Sequence, residues 1–387
     1  MQLRGDALKA ERRILRQAYG FEDIALVPGN ITINPDQTDI GFDLLDLHFS
    51  IPIIAAAMDA VVDVNFAIEM SKLGGLAVLN LEGVQTRYEN PDEVLQAIAS
   101  ASNEEVTPLM QKIYSAPIKE KLIGERVQAI RRGGGICAVS VTPANTKKLA
   151  PFAVEAGAHV LVVQSTVTTA RHISKSYHGL VFSELREWVS IPIIVGNCVT
   201  YTAAKELMET GITAILVGVG PGAACTSREV LGIGVPQATA TMDCAAARDD
   251  YFRETGRYVP IITDGGIRAG GDLCKSFACG ADAVMLGSIM VQTAEAPGRG
   301  NHWGMATPHA ALPRGVRVKV PQNSTLKQTL FGPATVTDGT QNLVGALRTS
   351  MGMLGVRTIK EMHNVEIVIA PSIKTEGKQL QRAQVCK

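Results

Sequence analysis

Eight short runs of consecutive apolar residues punctuate the chain, and each is followed by a segment of helical length. They are Ile51–Ala57, Leu76–Leu79, Ile136–Val141, Val160–Val163, Ile191–Val195, Ile212–Val217, Val259–Thr263 and Ala283–Leu286. Apolar side chains on successive rather than alternate positions suit strands covered on both faces, as in a parallel sheet wrapped by helices. Two smaller patterns recur. Proline follows the first residue at Ile51-Pro52, Ile191-Pro192 and Val259-Pro260, and a strand tolerates proline at its start. Gly157, Gly211 and Gly280 each stand just ahead of a run, where glycine supplies the left-handed residue that ends a helix. Eight strand–helix units predict an α/β fold, a (β/α)8 TIM barrel, with an open doubly wound sheet as the structural runner-up.

One segment breaks the rhythm. Asn80–Gly135 is about twice as long as a loop and helix need, and its charged helical stretches carry little strand character. It reads as a helical insertion between strands 2 and 3, at about 80–135, within a single catalytic domain spanning 1–387. Glu295–Val320 is rich in Gly, Pro and Ala and reads as loop. Gln341–Leu354 reads as a helix, and the polar stretch after Gly377 as a loose tail.

Composition narrows the function. Lys+Arg and Asp+Glu both number 37, so no basic face invites nucleic acid. Aromatics are 5%, too few for a base-stacking platform. No apolar run reaches membrane-spanning length, and Met1–Arg16 has no signal-like apolar core. The seven cysteines are odd in number and form no C-x-x-C pair, which suits reduced thiols in the cytoplasm better than disulfides or zinc.

The candidate chemistry lies at the C-terminal ends of the strands, where this fold builds its sites. Strand 6 runs into Gly218-Val219-Gly220-Pro221-Gly222-Ala223-Ala224-Cys225-Thr226-Ser227-Arg228. Glycine at this density is costly in chain entropy unless backbone must turn tightly or approach a ligand. A cysteine held there is a candidate nucleophile. A glycine-rich turn with an incidental cysteine is the alternative. Strand 7 ends in Asp264-Gly265-Gly266-Ile267-Arg268 and strand 8 in Gly287-Ser288, the positions of the fold's phosphate loops. Asp264 suits a ribose diol or a helix cap. Asn197 ends strand 5 and suits a ligand amide contact or a turn. Met58 and Met305 suit a ligand or ordinary packing, and Asp59 could cap the helix that starts near Val64.

These residues resemble the IMP dehydrogenase/GMP reductase family over nearly the whole chain. The resemblance is carried by Gly20-Phe21-Glu22-Asp23-Ile24-Ala25-Leu26-Val27-Pro28, Ala56-Ala57-Met58-Asp59, the Gly218–Arg228 loop, Gly232-Ile233-Gly234-Val235-Pro236-Gln237, Asp264-Gly265-Gly266-Ile267-Arg268 and Gly304-Met305. It implies that Cys225 attacks C2 of IMP, that a hydride passes to NAD, and that water hydrolyses the resulting thioimidate to XMP. It implies Thr226 as an aid to that water, and Asp264 on the ribose. Gly266, Gly287 and Ser288 would hold the phosphate, and Met58, Asn197, Gly304 and Met305 would contact the purine and ribose. Gln164, Ser165, Thr166, Gly218 and Gly220 would face the cofactor. A homotetramer around a fourfold axis is implied as well.

Four features favour the dehydrogenase branch over the NADPH-dependent GMP reductase. They are Val235 in Gly234-Val235-Pro236-Gln237, the run Glu295-Ala296-Pro297-Gly298, the loop Gln164-Ser165-Thr166, and Arg314 where a reductase carries Glu. The family's regulatory CBS pair is absent, and the 80–135 segment occupies its position. Other departures are Gln164 for the usual Asp, Ala223 for a phosphate-contacting Ser, His302-Trp303 for the usual Tyr-Arg, and a nearly missing flap between Thr307 and Pro313. Arg314 is then the candidate for activating water. A K+ site on the carbonyls around Gly220, Gly222 and Cys225 is implied, but the altered tail counts against it. A purine-nucleotide sensor without turnover and an FMN-dependent barrel enzyme are the readings from other classes.

Overall fold

The computed structural model describes residues 15–173, 179–305, 316–374, 378 and 381. Strand β1 (Ile24–Leu26) and the hairpin β2 (Phe42–Leu44) and β3 (Leu47–Phe49) lead into eight parallel strands. These are β4 (Ile53–Ala55), β5 (Leu76–Asn80), β6 (Ala138–Val141), β7 (Val160–Gln164), β8 (Ile193–Cys198), β9 (Ala214–Val217), β10 (Ile261–Asp264) and β11 (Ala283–Leu286). They pair in chain order and β11 closes onto β4, so the fold is a (β/α)8 barrel.

The consecutive apolar residues serve two interiors. Ile54, Val78, Val162 and Leu216 point into the barrel, while Ile53, Leu79, Val163 and Val217 point outward against the helices. The three prolines lie one residue before β4, β8 and β10 rather than within them. The carbonyls of Pro52, Pro192 and Pro260 each accept a hydrogen bond from a neighbouring strand, from Val284, Leu161 and Ile215. The hairpin β2–β3 enters β4 directly and plugs the N-terminal end of the barrel with Phe42, Leu44 and Phe49.

The helices between strands are α1 (Val64–Lys72), α2 (Pro91–Ser100), α3 (Val106–Ser115), α4 (Glu120–Arg132), α5 (Thr146–Glu155), α6 (Phe182–Trp188) and α7 (Tyr201–Glu209). Then come α8 (Ser227–Leu231), α9 (Gln237–Thr255), α10 (Gly270–Ala278) and α11 (Ser288–Val291). Helix α1 starts at Asp63, whose carboxylate accepts from Phe66 N at 2.7 Å. The cap is therefore Asp63 and not Asp59. Helices α5, α7 and α10 end ahead of Gly157, Gly211 and Gly280, all at positive φ, as their sequence pattern predicts.

The helical stretch expected over 80–135 divides in two. Helix α4 buries Ile123, Val127 and Ile130 in the main core and is the barrel's own helix between β5 and β6. Helices α2 and α3 form a separate apolar cluster with Leu95, Ile98, Met110, Ile113 and Tyr114 around the fully buried Trp303. After the barrel, β12 (Asn301–His302) pairs with β13 (Val318–Lys319), so the stretch read as loop contains a short antiparallel ribbon. Helices α12 (Leu326–Phe331), α13 (Leu343–Leu354) and α14 (Ile359–Met362) and strand β14 (Ile367–Ile369), paired with β1, complete the described chain. No helix of the described residues is long and apolar enough to cross a membrane.

Candidate active site

At the C-terminal mouth of the barrel the strand ends surround one cavity of about 1220 Å³. Every candidate residue from the sequence lines it except Arg314, which lies outside the described residues.

The cysteine loop is fixed by close backbone contact. Gly218 has φ +152°, and a Cβ there would stand 2.1 Å from the Asp264 carbonyl oxygen, so only glycine lets the ends of β9 and β10 pass this closely. Cys225 N donates to Gly222 O at 3.0 Å, closing the turn that presents the thiol. Cys225 Sγ lies 3.3 Å from Ser227 Oγ in the first turn of α8. Thr226 is the N-cap residue of α8, but its side chain makes no capping bond. Of the six cysteines among the described residues, only Cys225 is not buried. Burial pushes the Cys137 and Cys279 thiols up to about 12 and that of Cys274 to about 11, so these stay protonated and inert.

Across the loop, Asp264 is gripped by two amides. Asn197 Nδ2 donates to its Oδ2 at 2.8 Å and Gln164 Nε2 to the same oxygen at 3.1 Å. Burial pushes the Asp264 carboxyl up to about 6, against the opposing pull of the Asn197 hydrogen bond. Asn197 Oδ1 is buried and has no partner. The loop expected to face a cofactor is thus largely turned inward. Gln164 serves Asp264, and Ser165 Oγ lies 2.8 Å from Val167 O and 2.9 Å from Thr168 Oγ1, which leaves Thr166 as its remaining hydroxyl on the cavity.

On the phosphate-loop side, Ser288 Oγ is 2.6 Å from His302 Nε2. His302 Nδ1 faces the Val318 carbonyl at 3.4 Å, so Nδ1 carries the hydrogen and Nε2 accepts from the serine. Burial lowers His302 to about 4, which keeps it neutral at pH 7. Next to it, at the end of the neighbouring strand β4, Trp303 Nε1 donates to Tyr114 Oη at 2.7 Å, and Tyr114 Oη donates to Asp59 Oδ2 at 2.7 Å. Val84 N donates to the same carboxylate oxygen at 2.8 Å. Asp59 therefore ties the strand end bearing Met58 to α3. Tyr114 carries no sequence signal for this role, because its partners are 55 and 189 residues away. Glu82, Arg87 and Ser140 also line the cavity without having been singled out from the sequence. Among the described residues no group of three or more His, Cys, Asp or Glu side chains could hold a metal ion.

Comparison with known proteins agrees with this geometry. The sequence profile of the IMP dehydrogenase / GMP reductase domain matches residues 18–378. An uncharacterized oxidoreductase of Mycolicibacterium smegmatis is 39% identical over 366 residues, 92% of this chain and 98% of its own. The inosine-5'-monophosphate dehydrogenase of Cryptosporidium parvum is 31% identical over 372 residues, covering 88% of this chain and 89% of its own. The crystal structure of an IMP dehydrogenase/GMP reductase-like protein from Corynebacterium glutamicum superposes with a TM-score of 0.88 at 36% identity, over 92% of this chain and 96% of that one. The chain belongs to the IMP dehydrogenase/GMP reductase family of oxidoreductases.

Proposed function

We propose that this protein is an IMP dehydrogenase, oxidising IMP to XMP with NAD in the cytoplasm as a homotetramer. The observation that carries the reading is Cys225, the one unburied cysteine among the described residues, held on the β9 loop beside the β10 end that bears Asp264, both on a single cavity. Curated relatives named inosine-5'-monophosphate dehydrogenase, at 28% and 31% identity, support it.

The residues present fit a nucleotide and a dinucleotide together. The cavity exceeds the few hundred to about 1,000 Å³ of ordinary small-molecule pockets, and the backbone from Gly218 to Gly222 leaves a face with few side chains beside Cys225. NAD, when bound, supplies the hydride acceptor. The Cys225 thiolate forms a bond to C2 of the purine as the C2 hydride leaves, giving a thioimidate on Sγ. Water then adds at C2 and the C–S bond breaks, returning the thiol and leaving the 2-oxo purine. Thr226, with its hydroxyl uncommitted to capping, is placed beside Cys225 to orient that water, with Arg314 as the second candidate. Asp264 accepts from the ribose hydroxyls. The main-chain N–H groups of Gly266, Gly287 and Ser288 receive the phosphate. Met58, Gly304 and Met305 border the base.

Incubation with IMP and NAD, followed by absorbance of the reduced nicotinamide, tests the reading. NADH appearing together with XMP is the expected result. Oxidation of NADPH with GMP would instead place the protein on the reductase branch, and tight IMP binding with no product would make it a nucleotide sensor.

A further inference from the structure

Gln164 stands in a loop whose position points to the cofactor, yet its amide is directed at Asp264. We propose that Gln164 is a positioning residue for the nucleotide: with Asn197 it clamps one oxygen of the Asp264 carboxylate and reserves the other for a hydroxyl of the substrate's ribose. The assignment rests on the reading of Asp264 as the ribose acceptor.

A carboxylate oxygen has two lone pairs in its plane. On Asp264 Oδ2 both meet amide donors, from Asn197 at 2.8 Å and from Gln164 at 3.1 Å. Two donors on one oxygen fix the rotation of the carboxylate and direct Oδ1 to the ligand. The amides come from the ends of β7 and β8, so the clamp also spans two strands next to the β9 loop. No other charge competes for Asp264. Arg268 on its own loop is bound to Asp272 at 2.9 Å, and Arg228, beyond the cysteine, donates to the Val235 carbonyl at 3.0 Å. The other titratable groups on the cavity are Glu22, Asp23, Glu82, Arg87, Cys225 and His302, and among the described residues the side-chain hydrogen bonds to the Asp264 carboxylate come from the two amides. With Arg268 and Arg228 bound elsewhere, neutral donors are what oppose burial and favour the ionised carboxylate. A carboxylate in place of Gln164 could not donate to Asp264 while both were ionised.

The test uses the full-length protein, with IMP as the probe. IMP affinity is measured from pH 5 to pH 8.5 by calorimetry for the wild type, Gln164→Leu and Gln164→Glu. The Asp264 carboxyl is titrated without ligand in 13C-aspartate-labelled protein and assigned by its loss in Asp264→Asn. In the wild type, affinity rises as the pH passes through about 6. Gln164→Leu should move both midpoints upward by about one pH unit, the scale of one hydrogen bond to a charged group. Gln164→Glu should invert the profile. Near pH 6 a shared proton restores one bond and binding approaches the wild type, whereas by pH 8.5 two adjacent carboxylates cost at least about tenfold in affinity. A purely structural role predicts equal weakening at every pH. Unchanged carboxyl titration in Gln164→Leu overturns the clamp. A clamp confirmed in the ligand-free titration, with no IMP binding by the wild type at any pH, would instead overturn the reading of the substrate.

Discussion

The two walls of the cavity are built differently. On the β9–β10 side the main chain sets the geometry. Gly218 lets two strand ends touch, and the Gly222–Cys225 turn presents the thiol within a few residues of sequence. On the β4–β5 side the geometry comes from side chains far apart in the chain, Trp303 to Tyr114 to Asp59, with α2 and α3 packed behind them. In the proposed reaction the first wall holds the reacting atoms. The second wall braces the strand end that carries Met58. Chemistry and support can therefore be separated by substitution.

The largest effect should come from the thiol itself. Cys225→Ala and Cys225→Ser are expected to lower turnover about a thousandfold or more, while IMP binding changes by only a few-fold. Steady-state rates and calorimetry check this. Substantial turnover by both variants would remove the covalent role and, with it, the division between the walls.

Next in size is the energetic cost of Asp264. Burial raises its carboxyl from 3.8 to about 6, so the folded protein holds this proton more tightly than the unfolded chain. The stability linked to the group is complete below pH 3.8 and is lost as the pH rises through about 6. A rise of this size corresponds to at most about 3 kcal/mol, reduced by solvent that reaches the carboxylate through the cavity. Asp264→Asn should therefore melt several degrees above the wild type at pH 8 and no higher at pH 4, while IMP binding at pH 8 weakens. Equal melting temperatures at pH 8 would mean that the two amides already offset the burial in full.

The smallest effect tests the brace. Tyr114→Phe keeps the ring in its cluster but removes the hydroxyl that links Trp303 to Asp59. A loss of about 1–3 kcal/mol is expected by denaturant titration, with turnover reduced less than tenfold. A thousandfold loss of turnover in this variant would mean that the second wall takes part in the chemistry.

The same contrast explains what the sequence discloses. The strands are legible because both faces of a barrel strand demand apolar residues. The Cys225 and Asp264 loops are legible because each is complete within a dozen residues. Side-chain partners are not. Asp59 reads from the sequence as a cap, but the fold gives the Phe66 N–H to Asp63 and leaves Asp59 to Tyr114 and Val84. Gln164 takes its hydrogen-bond partner from 100 positions away, and the Ser288–His302 pair depends on how the β12–β13 ribbon folds back. Helix α4 has the same amphipathic rhythm as α2 and α3, so periodicity alone could not separate the helix that packs on the main core from the two that form their own cluster.

The hairpin that stoppers the barrel with Phe42, Leu44 and Phe49 packs against an interior already filled by Ile54, Val78, Val162 and Leu216, so no passage runs through the barrel among the described residues and the cavity is reached from the C-terminal face. On the proposed function, nucleotide, cofactor and water would all arrive from that face. A reagent bonded to Cys225 would act as a cork as well as a chemical block, and either ligand, by occupying the neck first, would slow the reagent's arrival.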